Sequence, residues 1–170
     1  MSHGQDDDSG SAIDFATARG RDWPSVRQYN VFVENRVGNL LAVVRRFESS
    51  DNRIVSLTVV DSADCAIIRM VLSDPERARE TFEAAGLPFT ESDLLVVELP
   101  DADQPLVQIC KALLGAEISI HYAYPLMVGA HGRAALALHV EDHETAVSTL
   151  SRMGFNLLTE KDLQDDEEGL

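Results

Sequence analysis

The stretch Asn35-Arg36-Val37-Gly38-Asn39-Leu40 brings two carboxamides, a guanidinium and a glycine together just ahead of an apolar period at Leu40, Val43, Val44 and Phe47. At a helix start, free backbone N–H groups and the positive end of the dipole attract a carboxylate. Gly38 lets a ligand approach the backbone, Asn35 and Asn39 can hydrogen-bond an amino or carboxylate group, and Arg36 adds charge. The chemistry available is recognition of a small acid or zwitterion. A plain helix-capping loop uses the same residues, and that reading stands beside the first.

Other reactive side chains point to less. His121, His131, His139 and His143 follow one another closely, and His121 and His139 share a face if their strands pair antiparallel. No short spacing of the kind that holds a metal links them, so no metal site is expected. Tyr122 and Tyr124 stand at strand spacing, as packing residues or as a stacking platform. Cys65 and Cys110 sit among apolar neighbours without a C-x-x-C pair, which predicts buried free thiols and sets aside zinc, thioredoxin-like and disulfide chemistry. The acids fall in caps, turns and helix faces. With no Gly-x-Ser-x-Gly, phosphate loop or dinucleotide fingerprint, neither catalytic residues nor a cofactor are expected.

The chain of 170 residues has 29 acidic against 14 basic side chains, a net charge of −15, and 45% hydrophobic residues. That is enough apolar material for a packed core. The charge opposes binding to nucleic acid or anionic lipid, and no apolar run approaches a membrane span. A cytoplasmic protein is expected. Acids concentrate at both ends, in Asp6-Asp7-Asp8 and Asp165-Asp166-Glu167-Glu168. These segments carry too little apolar surface to offset ordering entropy, so residues 1–25 and 161–170 are expected to be disordered acidic tails.

Between them the periodicity spells strand, helix, strand, strand, helix, strand, and then repeats it. Val31/Val97, Leu40/Leu106, Val43/Ile109, Phe47/Leu113 and Ile54/Ile120 lie 66 apart; Ile68/Leu136, Met70/Leu138, Asp74/Asp142, Phe82/Leu150 and Gly86/Gly154 lie 68 apart. The two extra residues fall in the second hairpin turn. Matched caps and core positions on both sides of an insertion indicate duplication of one βαββαβ unit. The expected class is α+β: two ferredoxin-like units, residues 26–92 and 93–160, each an antiparallel sheet with its helices on one face. A short strand near Pro88-Phe89-Thr90 should close the first unit and a separate strand from Leu94 to Leu99 open the second. Near-continuous apolar strands such as Ile54–Val60 suggest burial on both faces, with the two sheets packed or aligned.

The segments Val31–Leu40, Ile54–Asp61 and Ile68–Leu72, with the Asn-x-x-Gly-x-Leu loop, resemble an ACT domain, and the half containing Ile120–Tyr124 looks like its tandem partner. The resemblance implies a regulatory module that binds an amino acid or related metabolite at the interface between the tandem repeats, the first loop of one unit facing the second strand of its neighbour. By that analogy Ser119, Ile120, His121 and Tyr122 join Asn35, Arg36, Val37, Gly38, Asn39 and Leu40 in the ligand site. The second loop, Asp101-Ala102-Asp103-Gln104-Pro105, has no glycine and two carboxylates that repel a ligand carboxylate, so one competent site per chain is expected. Val37 replaces a common proline, and Ser119 a frequent asparagine. The partners implied are a small-molecule ligand, further copies of the chain in a homodimer or other homo-oligomer, and a regulated enzyme. The alternative is a ligand-free interaction module acting as regulatory subunit or scaffold.

Overall fold

The computed structural model describes residues 23–127 and 129–164. The acidic tail expected over 1–25 lies outside the described residues up to position 22, as do residues 165–170. Residues 161–164 differ from the tail expectation. They belong to a short helix whose Leu163 is buried, because one apolar side chain finds a place in the core.

The first unit comprises β1 (Val26–Glu34), α1 (Asn39–Val44, continued by a 3-10 turn to Phe47), β2 (Ile54–Asp61), β3 (Cys65–Leu72), α2 (Pro75–Ala84) and the first half of β4 (Phe89–Glu98). The second comprises the rest of β4, α3 (Pro105–Gly115), β5 (Ile120–Pro125), β6 (Ala135–Val140), α4 (His143–Arg152) and β7 (Leu157–Leu158), followed by α5 (Glu160–Gln164). All pairs are antiparallel. The strand order β2-β3-β1-β4-β6-β5, with β7 also on β4, is the ferredoxin-like order written twice with one strand in common.

Local chemistry explains the element ends. Asp74 and Asp142 each accept a backbone N–H three residues on, from Arg77 at 3.2 Å and Thr145 at 3.0 Å, and so cap α2 and α4. Gly86 and Gly154 follow those helices with φ of 65° and 85°, the left-handed turn that stops a helix. The outer face of the first unit buries Tyr29, Phe47 and Phe82 and packs half-buried Phe89 on them, in edge-on and tilted pairs with ring centroids 5.2–5.7 Å apart. Leu95, Val97, Ile109, Leu113, Leu138 and Leu150 form the corresponding core of the second unit.

Two expectations are corrected here. The strands expected near Pro88–Thr90 and Leu94–Leu99 are one strand, β4, whose residues 89–94 pair with β1 and 95–98 with β6. Glu91-Ser92-Asp93 reads as a polar break in sequence, yet each of the three pairs with β1, and Glu91 is bridged to Arg79 at 2.5 Å. The second correction concerns Cys110, which is exposed on α3, while Cys65 is half-buried; both are free. Ile109 and Leu113 turn inward, and at helical spacing the cysteine between them turns out.

The face of the sheet opposite α1–α4 closes on itself. Met127 N–H donates to the Val55 carbonyl at 2.9 Å and the Ser56 hydroxyl to the Pro125 carbonyl at 2.7 Å, which brings β2 and the end of β5 together. A third core of Val26, Val55, Val71, Leu94, Val96, Tyr124, Leu126, Ala135, Ala137 and Leu158 fills the space between. The strands are therefore covered on both faces beside this core, whereas the end of β2 departs from the expected two-sided burial, Val59 and Val60 being exposed. The longer second hairpin connection does more than turn: its Leu126 and Ala130 are buried in this shared core.

Candidate functional site

The loop Asn35–Leu40 leaves the end of β1 and enters α1 through Gly38, whose φ of 90° is one an L side chain adopts only with strain. No side chain caps α1 at Gly38. Asn35 instead ties the loop to the β2–β3 turn, its Nδ2 donating to Asp61 Oδ1 at 2.5 Å and to the Ser62 carbonyl at 3.1 Å. Asn39 Nδ2 donates to the Glu34 carbonyl at 2.7 Å, and Arg36 pairs with Glu34 at 2.9 Å in an exposed contact. Both carboxamides thus hold the loop's shape. Val37 is fully exposed, and Leu40 and Leu41 are 42% and 52% exposed.

Ser119, Ile120, His121 and Tyr122 lie at the start of β5. Ser119 and Ile120 are exposed at its outer end, the Ser119 carbonyl accepting from Glu141 N–H at 3.0 Å. His121 and Tyr122 take a different course, because β5 bulges between Ile120 and Tyr122. A bulge re-aims side chains, and here both rings meet His139 of β6: Tyr122 stacks on it at 4.9 Å and 4°, and His121 lies 5.3 Å from it. Among the described residues, no hydrogen bond, ion pair or ring contact joins Asn35–Leu40 to Ser119–Tyr122 within the chain.

The inner face also carries polar residues that sequence reasoning missed. Gln28, fully buried, donates to Asn30 Oδ1 and to the Tyr122 hydroxyl, both at 2.7 Å, and accepts from the Tyr124 hydroxyl. Asn30 Nδ2 donates to Ser92 Oγ at 2.9 Å and Thr90 Oγ1 at 3.2 Å. These buried polar groups satisfy one another, as burial demands. Burial raises the Tyr124 phenol well above its ordinary range. Above Tyr122 lies Arg69 of β3, its Cζ 3.8 Å from the ring centroid. Burial, then the neighbouring His121 and Arg69, hold His139 below its ordinary value. The signal in sequence was the polar alternation of Gln28 and Asn30 in an otherwise apolar strand.

His131 and His143 stand apart from this cluster: His131 is in the turn before β6, and the His143 ring lies 3.0 Å from the Pro24 carbonyl. No helix among the described residues is long and apolar enough to cross a membrane.

Two ferredoxin-like units sharing a strand, with all four of their helices outside and a mixed polar and apolar seam inside, define a paired regulatory-domain fold. The sequence matches the family described as an ACT domain pair over residues 24–166, and the chain belongs to that family. No curated protein matches it. Among solved structures it is similar to protein BT0572 from Bacteroides thetaiotaomicron, with a TM-score of 0.74, 20% identity, and coverage of 83% of this chain and 96% of that one. It is also similar to the regulatory subunit of aspartate kinase from Thermus thermophilus in its ligand-free form, with a TM-score of 0.51, 11% identity, and coverage of 79% and 96%. Likeness at these identities concerns the fold.

Proposed function

We propose that this is a non-catalytic, cytoplasmic regulatory protein that binds an amino acid or related small metabolite at an interface between ACT units of two copies of the chain. The observation that carries the reading is the apolar surface left open beside both halves of the expected site. Val37, Leu40 and Leu41 flank the loop, Ile120 flanks the strand, and all are exposed although the two segments do not touch within one chain. A second copy covering these side chains would bring the loop of one chain to Ser119 and Ile120 of the other. Membership in the ACT pair family supports a binding role, and the Thermus thermophilus neighbour supports a regulatory chain that serves an enzyme as its subunit.

Occupancy would be reported through a change in packing between copies or with a partner, since a ligand shifts an equilibrium only by binding two states unequally. The test is calorimetric titration of the full chain with each common amino acid, after a thermal-shift screen. Saturable binding is expected, lost in Gly38→Asp and retained in Gly38→Asn, because asparagine tolerates positive φ without adding charge. Leu41→Glu should give a monomer by light scattering and lose binding with it. Silence across the whole set would instead favour the ligand-free module that regulates or scaffolds an enzyme.

A further inference from the structure

At one corner of the inner face the two halves of this duplicated fold use different chemistry. In the first unit, β2 bulges between Ile54 and Ser56, and Val55, Ser56 and Val71 are all buried there. The positions 66 and 68 residues later are His121, Tyr122 and His139, at the matching bulge in β5. The fold therefore builds this corner from small, nearly apolar side chains in one unit, and from two imidazoles and a phenol in the other. Opposite them stands Arg69, whose own counterpart is Ala137.

The structural demand for polarity at the seam is met without the cations. Gln28, Asn30, Tyr122, Tyr124 and Ser92 satisfy one another. Arg69 and His139 remain: Arg69 Nε and His139 Nδ1 are buried without a hydrogen-bond partner. Among the described residues Arg69 forms no ion pair, in a chain of net charge −15. Asp93 is the carboxylate whose field reaches His139; His121, Arg69 and His143 act in the opposite sense. The corner opens outward, from fully buried Gln28 through half-buried Arg69, Tyr122 and His139 to exposed His121.

From this geometry we infer that Arg69, His139 and His121 form an anion site within one chain, taking the carboxylate or phosphate group of a small metabolite across the seam between the two units. A guanidinium held over Tyr122 can offer N–H groups to such an anion, with the imidazoles completing the donor set. Because Arg69 belongs to the first unit and both histidines to the second, an occupied site ties the units together. The site does not rest on the loop reading above.

The test is NMR of the histidine rings in the full chain, titrated with sodium phosphate and separately with sodium acetate at constant ionic strength, with sodium chloride as control. Saturable shifts of His121 and His139 are expected, with the His139 pKa rising by about half a unit or more, since a nearby anion favours the imidazolium. The arm that saturates at lower concentration separates phosphate from carboxylate recognition. Arg69→Gln should weaken binding about tenfold or more. Gly38→Asp should leave the titration unchanged, which separates failure here from failure of the loop site. Shifts no different from chloride, or the same affinity in Arg69→Gln, would overturn the inference. If Arg69→Gln does not fold, exposed His121→Ala decides: affinity at least about threefold weaker supports the site, and unchanged affinity removes it.

Discussion

His139 couples single-residue chemistry to stability. Burial, with His121 and Arg69 behind it, lowers its affinity for a proton in the folded chain below the ordinary 6.5. The unfolded chain then binds the proton first, so this contribution is complete above about pH 6.5 and is lost as pH falls below it. Denaturant unfolding between pH 8 and 5 is expected to show that loss, and His139→Val, which installs the side chain found at the counterpart position Val71, to flatten it. An unchanged pH slope in the variant would exclude His139 as its source. Tyr29 supplies a second residue-scale expectation. Its hydroxyl donates to the buried Pro75 carbonyl at 2.6 Å, and burial, with Glu91 nearby, pushes its pKa up to about 12. Tyr29→Phe removes this buried hydrogen bond and should cost about 0.5–1.5 kcal/mol by denaturant unfolding. At this scale sequence showed which residues could act but not with whom. Arg69 reads as an ordinary strand cation until Tyr122, 53 residues further along the chain, is found beneath it.

At the scale of elements, the caps were legible because their chemistry is local. Asp74 and Asp142 lie at matched positions, followed by Gly86 and Gly154 at matched stops, and both side chains accept the N–H that an N-cap should. Asp74→Ala should destabilise the protein by about 1 kcal/mol, and Asp142→Ala should destabilise it as well. The Asp142 carboxyl is held below its ordinary value first by the Thr145 hydroxyl and then by the Thr145 N–H. Its depressed pKa means the cap's contribution is present above the unfolded value near 3.8 and fades as pH falls through the folded one. The difference in stability between wild type and Asp142→Ala should therefore shrink in acid. The shared strand β4 was not legible. Its polar centre, Glu91-Ser92-Asp93, satisfies the rules for a linker, and only pairing with β1 makes it a strand.

For the whole molecule, that shared strand decides cooperativity. Leu94 faces the seam and Leu95 the helices of the second unit, both fully buried, and β4 hydrogen-bonds to both units. The two units should unfold together. Calorimetry is expected to give one transition, and Leu94→Ala and Leu95→Ala should each lower the stability of that same transition by about 2–5 kcal/mol. Two resolved transitions, with the variants moving different ones, would show that the units fold independently. By itself the sequence determined the βαββαβ duplication, the antiparallel ferredoxin-like units, the helix caps and the family resemblance, because periodicity, capping and turns are written in neighbouring residues. Tertiary structure alone decided that β4 serves both units, that the sheet closes so Gln28 and Asn30 are buried, and that Arg69 comes to lie over Tyr122. Each of these depends on residues far apart in the chain, and which partner a strand edge or a polar side chain finds is set by long-range packing that no local spacing encodes.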